Sequence, residues 1–195
     1  MQTMKTIRTR FGVLSAIAFL LLPAIGQAAN LLSNGRFGVV GPLGPFTTIT
    51  TPVPGGADFS AAEDWTLFTN TAGTITSELL PSSLVPGGTM IHVTTDGQGN
   101  GLVQVFGDFD TGPETVYACA WISLVSGEVG IGTGNGGNTG YDMVLKKTGS
   151  WEVVPVSNGV SPANEFIIYA HSVGGAEFYV ESATVTLERS KCRPR

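Results

Sequence analysis

The chain has 195 residues, 42% of them hydrophobic and only 13% charged, with fifteen acidic side chains against ten basic ones and a formal net charge of −5. Seven basic residues follow residue 28, too few for a phosphate-binding surface, so a nucleic-acid partner is excluded. Apolar segments recur to the end of the chain, which excludes disorder.

Residues 1–28 read as a secretory signal. Lys5, Arg8 and Arg10 form a positive start, FGVLSAIAFLLLPAIG is apolar but short for a membrane span, and Gly26 and Ala28 supply small residues before a cut. Cleavage is expected after Ala28, with Ala29 the near alternative. About 167 residues then remain, with seven basic side chains against fifteen acidic ones and a net charge of about −8. No later segment reaches membrane-spanning length, so no insertion follows cleavage. The expected localisation is secreted, extracellular or periplasmic. The organisation is a signal at 1–28, one domain at 29–190 and a short basic tail at 191–195.

Helical periodicity is missing after residue 30. Short or alternating apolar runs between Gly, Pro and Asn turns take its place. They predict strands at 35–40, 64–69, 73–80, 89–95, 101–107, 115–125, 127–133, 141–147, 150–157, 164–171 and 176–188. The Pro- and Gly-rich segment 41–57 reads as a long surface loop or a broken edge, and 81–88 as another loop. Many strands with short turns make an all-β sandwich, jelly roll or barrel.

The run VYACAWISLV separates two faces. Val116, Ala118, Ala120, Ile122 and Leu124 form the core face, and Tyr117, Cys119, Trp121 and Ser123 the other. That second face either holds a sugar ring or lies under a loop or the tail. In LVQVF, Gln104 stands opposite the face of Val103 and Val105, where its amide reaches a ligand hydroxyl. His92 alternates against Ile91 and Val93 and reads as a surface residue. The stretch IGTGNGGNTGYD, 131–142, lacks the Lys-Ser/Thr ending of a phosphate cradle. It reads as a long hairpin tip that keeps Tyr141 and Asp142 beside a binding face. FDTG at 109–112 matches the Asp-Thr-Gly of aspartic proteases, but it lies in a turn without a second motif. His92 and His171 have no triad-like partners in the sequence. Cys119 and Cys192 are the two cysteines; export favours one disulfide, and two free thiols are the alternative.

The opening NLLSNGRF, then GNGLVQVF, VYACAWISLVSGEVGIG, GSWEVV and the closing EFYVESATVTL follow one another in an order that resembles carbohydrate-binding modules of the cellulase and xylanase type, families 4, 9 and 22 and their relatives. The resemblance covers nearly all of residues 30–188. It implies a galactose-binding-like jelly roll, a two-sheet antiparallel β-sandwich with a glycan-binding groove or loop-lined face. It also implies a structural calcium ion near the chain ends. Here the sequence departs from the pattern: Gly38 stands where an acidic residue usually follows the opening Phe, and Glu181 and Ser182 replace the closing acidic pair. Glu181 is the remaining candidate metal ligand, and calcium wants six to eight oxygens.

Glycans are held by flat aromatic rings with amides and carboxylates on the hydroxyls. Trp65 and Trp151 are read as core residues. Trp121, Tyr141, Tyr117, Gln104 and Asp142 are read as the ligand set. The function expected is a secreted, non-catalytic carbohydrate-binding protein. The alternative is a surface or matrix structural protein that uses the same jelly roll for protein–protein contacts.

Overall fold

A computed structural model describes residues 30–51, 55–106, 116–135, 138–158 and 164–188; for Asn135, residues 138–142, Val154 and residues 156–158 it describes the backbone alone. The signal segment, the FDTG turn and Cys192 lie outside the described residues. Among the described residues there are twelve strands: β1 Phe46–Thr51, β2 Ala57–Phe59, β3 Thr66–Phe68, β4 Gly73–Pro81, β5 Thr89–Thr95, β6 Gly101–Val105, β7 Val116–Ser126, β8 Val129–Asn135, β9 Asn138–Leu145, β10 Trp151–Asn158, β11 Glu165–Ala170 and β12 Ala176–Thr186. They form two six-stranded antiparallel sheets packed as a sandwich. The first runs β1-β4-β5-β12-β7-β10 and the second β2-β3-β6-β11-β8-β9.

Alternation builds the core. Ile75, Ile91, Val93, Ile122, Leu124, Phe178 and Val180 from the first sheet meet Leu67, Leu102, Ile131, Phe166 and Ile168 from the second. Trp65 is buried among them, 5.2 Å from Phe37 and 6.3 Å from Phe166 between ring centroids. Its core reading holds.

The opening segment is a clamp on the last strand. Asn30 Oδ1 accepts from the Leu32 and Val185 amides, at 3.2 and 2.9 Å, and its Nδ2 donates to the Ala183 carbonyl at 3.1 Å. The Leu31 amide donates to Val185 and the Ala183 amide to Gly35. Asn34 ties Val39 to Glu63 through its amide group. The asparagines of NLLSNGRF therefore satisfy backbone groups of the fold, part-buried ones at Asn30 and exposed ones at Asn34.

Three expectations change. Residues 35–40 are turns that end in an isolated bridge from Val40 to Ala62, because Asn34 and Phe37 take positive φ. Within 41–57, FTTITT forms a full strand, β1, with Thr47 and Ile49 turned inward. The glycine stretch 131–142 is mostly strand: β8 runs to Asn135 and β9 begins at Asn138, with a register shift between Thr133 and Gly134.

Candidate functional site

The outer face of the second sheet carries a groove of about 530 Å³. Its floor is Val103 of β6, Ile167 and Tyr169 of β11 and Phe68 of β3; Asn70, Thr71, Gln98, His171 and Glu165 supply polar atoms around it. Strand β11, EFIIYA, is apolar on both faces. Phe166 and Ile168 enter the core, while Ile167 and Tyr169 turn to the groove.

Tyr169 lies between two glycines, opposite Gly101 on β6 and Gly130 on β8. A Cβ on Gly130 would run into the Tyr169 ring. The missing side chain lets the ring lie down on the neighbouring strand as a platform. His171 continues the surface, its ring 6.2 Å from that of Tyr169.

One end of the groove is fixed by Asn100, which is fully buried. Its Oδ1 accepts from the Asn70 amide at 2.8 Å and the Thr71 amide at 3.0 Å. Thr71 Oγ1 donates to the Gln98 carbonyl at 2.8 Å, and Gln98 Nε2 donates to the His171 carbonyl at 2.7 Å. Gly99, at φ 78°, sits against the Asn70 side chain, where a Cβ would come within 2.8 Å of its Nδ2. These bonds hold amide and hydroxyl groups and the His171 backbone around an apolar floor, a composition able to contact the C–H face and the hydroxyls of a sugar ring. Among the described residues no Lys or Arg lines the groove.

Of the residues picked from the sequence, Trp121 and Tyr117 share one face and Gln104 lies elsewhere. Trp121 and Tyr117 are half-buried on the outer face of the first sheet, on the other side of the molecule. Trp121 packs edge-on against Trp151, at 6.2 Å and 72°. Trp151 is thus a half-buried outer-face residue, not a core one, because it pairs with the outward Ser123. Gln104 faces inward at 2% exposure, and its Nε2 donates to the Asp64 carbonyl at 3.1 Å. Its neighbour Val105 is 61% exposed. The two faces of β6 are reversed from the sequence reading, since the groove floor is itself apolar. Tyr141 and Asp142 are in β9, in register with Thr133 and Gly132. His92 is an outer-face residue as expected; it stacks on Tyr179 at 4.4 Å and contacts Glu177 at 3.0 Å.

Glu181 occupies the bulge of β12, between Val180 and Ser182. It is 5% exposed; Oε1 accepts from Ser82 Oγ at 2.5 Å, and Oε2 is buried without a hydrogen-bond partner. Among the described residues no group of three His, Cys, Asp or Glu surrounds it. Cys119 is outward on β7 yet only 5% exposed, opposite Pro155 and Thr184.

Solved carbohydrate-binding modules are similar to this chain. The CBM22-1 xylan-binding domain of Paenibacillus barcinonensis Xyn10C aligns over 82% of this chain and 94% of its own, with 14% identity and a TM-score of 0.46. The family 11 module from Clostridium thermocellum, solved with a mixed-linked tetrasaccharide, aligns over 70% and 97%, with 13% identity and a TM-score of 0.46. The enzymatically active domain of bacteriophage CBA120 tailspike protein 4 is also similar, over 80% of this chain but 21% of its own, with 15% identity and a TM-score of 0.47. No protein-family model and no curated protein matches the sequence.

Proposed function

We propose that this is an exported, non-catalytic glycan-binding protein whose site is the groove on the second sheet. One observation carries the reading: the Tyr169 ring fills the space over Gly130 beside an apolar floor, with Glu165, Gln98, Asn70 and His171 around it. Such a platform stacks on the apolar face of a sugar ring while the polar groups bond its hydroxyls. Glycoside hydrolysis uses a pair of carboxylates, whereas among the described residues the groove lining holds one, Glu165, which supports binding without turnover. Export rests on the signal pattern of residues 1–28.

The Trp121–Trp151 pair is the second candidate surface, and one experiment separates the two. Residues 29–195 are tested for retention on a panel of insoluble polysaccharides, with Tyr169→Ala and Trp121→Ala beside wild type. Tyr169→Ala is expected to lower retention by about tenfold, with Trp121→Ala unchanged. Loss in Trp121→Ala alone moves the site to the first sheet. No retention by wild type on any polymer rejects glycan binding.

Calcium at Glu181 belongs to the same reading. The partnerless Oε2 is an anionic oxygen suited to a hard cation, with Ser82 Oγ beside Oε1 and the remaining oxygens to come from backbone or water. Chelation is expected to lower the Tm of wild type and leave that of Glu181→Gln unmoved. Equal melting with and without calcium discards the ion. The Cys119–Cys192 disulfide is supported by the covered position of Cys119 and by the absence of a free cysteine among the described residues. Peptide mapping without reductant decides between one disulfide and two thiols.

A further inference from the structure

Four strands stand at sheet margins, and three of them are protected. β2 has only three residues and carries exposed Asp58 at its centre. β9 and β10 lie beside each other, and β10 contains Glu152 and Pro155. Short length, charge and proline are what keep strand edges from pairing with other chains. β1 has none of these: FTTITT has six residues and no charge or proline.

The bonding direction of β1 follows from its register. Pro45 lies opposite Leu79, whose amide donates to the Pro45 carbonyl at 2.8 Å, and the pairing continues as Thr47 with Ser77 and Ile49 with Ile75. In an antiparallel ladder, bonded pairs alternate with non-bonded ones. The odd residues of β1 therefore bond to β4. The N–H and C=O groups of Phe46, Thr48 and Thr50 point away from the sheet, and among the described residues β1 pairs only with β4. All three residues are exposed, Phe46 at 57%, and Val39, Val40, Leu43 and Phe59 add exposed apolar side chains from the nearby chain.

We propose that β1 is a self-association edge, and that two copies of this chain join by antiparallel β1–β1 pairing into one twelve-stranded sheet. Charge admits a second copy at this edge, and register selects it as the occupant. The chain is acidic, and copies repel each other, yet residues 37–57 contain no charged side chain. Register selects the pairing. Inward Thr47 and Ile49 must face inward in both copies, so each residue pairs with one of equal parity. A two-fold axis at Thr48 places Phe46 opposite Thr50 and Thr48 opposite itself. Every outward amide and carbonyl of the three residues then finds a partner, and Thr47 meets Ile49 on the core side. The patch is self-complementary, as a two-fold interface requires.

The test is sedimentation of residues 29–195 from about 1 μM to about 1 mM, the range of weak to moderate association. A monomer–dimer equilibrium is expected for wild type. Thr48→Pro removes the outward amide without taking a bond from β4, and Thr48→Lys sets two like charges across the axis. Each is expected to raise the dissociation constant by at least about tenfold while leaving the Tm of the monomer within a few degrees. Val173→Lys, on an exposed turn away from the edge, is expected to change nothing. Hydrogen exchange gives the residue-level readout: the amides of Phe46, Thr48 and Thr50 gain protection with concentration, and those of Thr47 and Ile49 are protected throughout. A monomer at every concentration overturns the proposal, and so does a dimer that both Thr48 variants leave intact. A Thr48 variant that fails to fold transfers the decision to the exchange pattern of wild type.

Discussion

Gly130 decides what Tyr169 can do. Any side chain there would occupy the space of the tyrosine ring, so the platform exists only because β8 has no Cβ at that point. Gly130→Ala is therefore expected to behave like Tyr169→Ala in glycan retention, since the ring must lift. The cost to stability is expected to stay within about 1 kcal/mol, because the atoms in the way are the far end of a side chain that can swing into the open groove. Urea unfolding and polysaccharide retention measured on the same preparation check both parts. A folded Gly130→Ala protein with full retention would show that the ring position does not matter to the ligand. Asn100 and Gln98 support the platform at its end, one by bonding two backbone amides and the other by bonding the His171 carbonyl. Their roles depend on bonds between residues about thirty and more than seventy positions apart, which no local pattern announces.

At the scale of elements, most strands were legible because their apolar residues alternate. β4, β5, β7 and β12 are read from the sequence to within a few residues of their ends. Alternation separates two faces but does not say which one is inside. In β7 the inner residues are plainly the apolar ones. In β6 the outer face is the more apolar one because it floors the groove, so alternation points Gln104 outward; in β11 apolar residues stand on both faces, so alternation does not single out Tyr169. β1 was hidden by the prolines and glycines that flank it, although FTTITT itself has strong strand character. The glycines of 131–142 point to turns when read singly. In the fold they are a strand property, and Gly130, just before that run, makes room for the neighbouring Tyr169. The residues read from the sequence and the groove share a chemistry, aromatic rings with amides on a sandwich face, but stand on different faces. The face depends on register, and register is a property of strand pairs.

For the whole molecule, the two proposals meet in one geometric consequence. The β1 edge belongs to the first sheet and the groove to the outer face of the second. A two-fold axis perpendicular to the first sheet leaves the outward direction of the second sheet unchanged, so both grooves of a β1-paired dimer face the same way. Two sites on one side can engage a single polymer or two neighbouring chains on one surface, and the second contact is then intramolecular. Binding to an insoluble polysaccharide is expected to exceed binding to a soluble oligosaccharide by at least about tenfold in the dimer. Thr48→Lys should remove that excess and leave the oligosaccharide affinity as it was, because Thr48 is not part of the groove lining. Tyr169→Ala should lower both quantities and leave the dimer intact in sedimentation. Calorimetry with the oligosaccharide, beside retention on the polymer, separates these cases. If Thr48→Lys dissociates the dimer yet polymer retention stays at the wild-type level, the grooves act singly and the shared orientation has no part in binding.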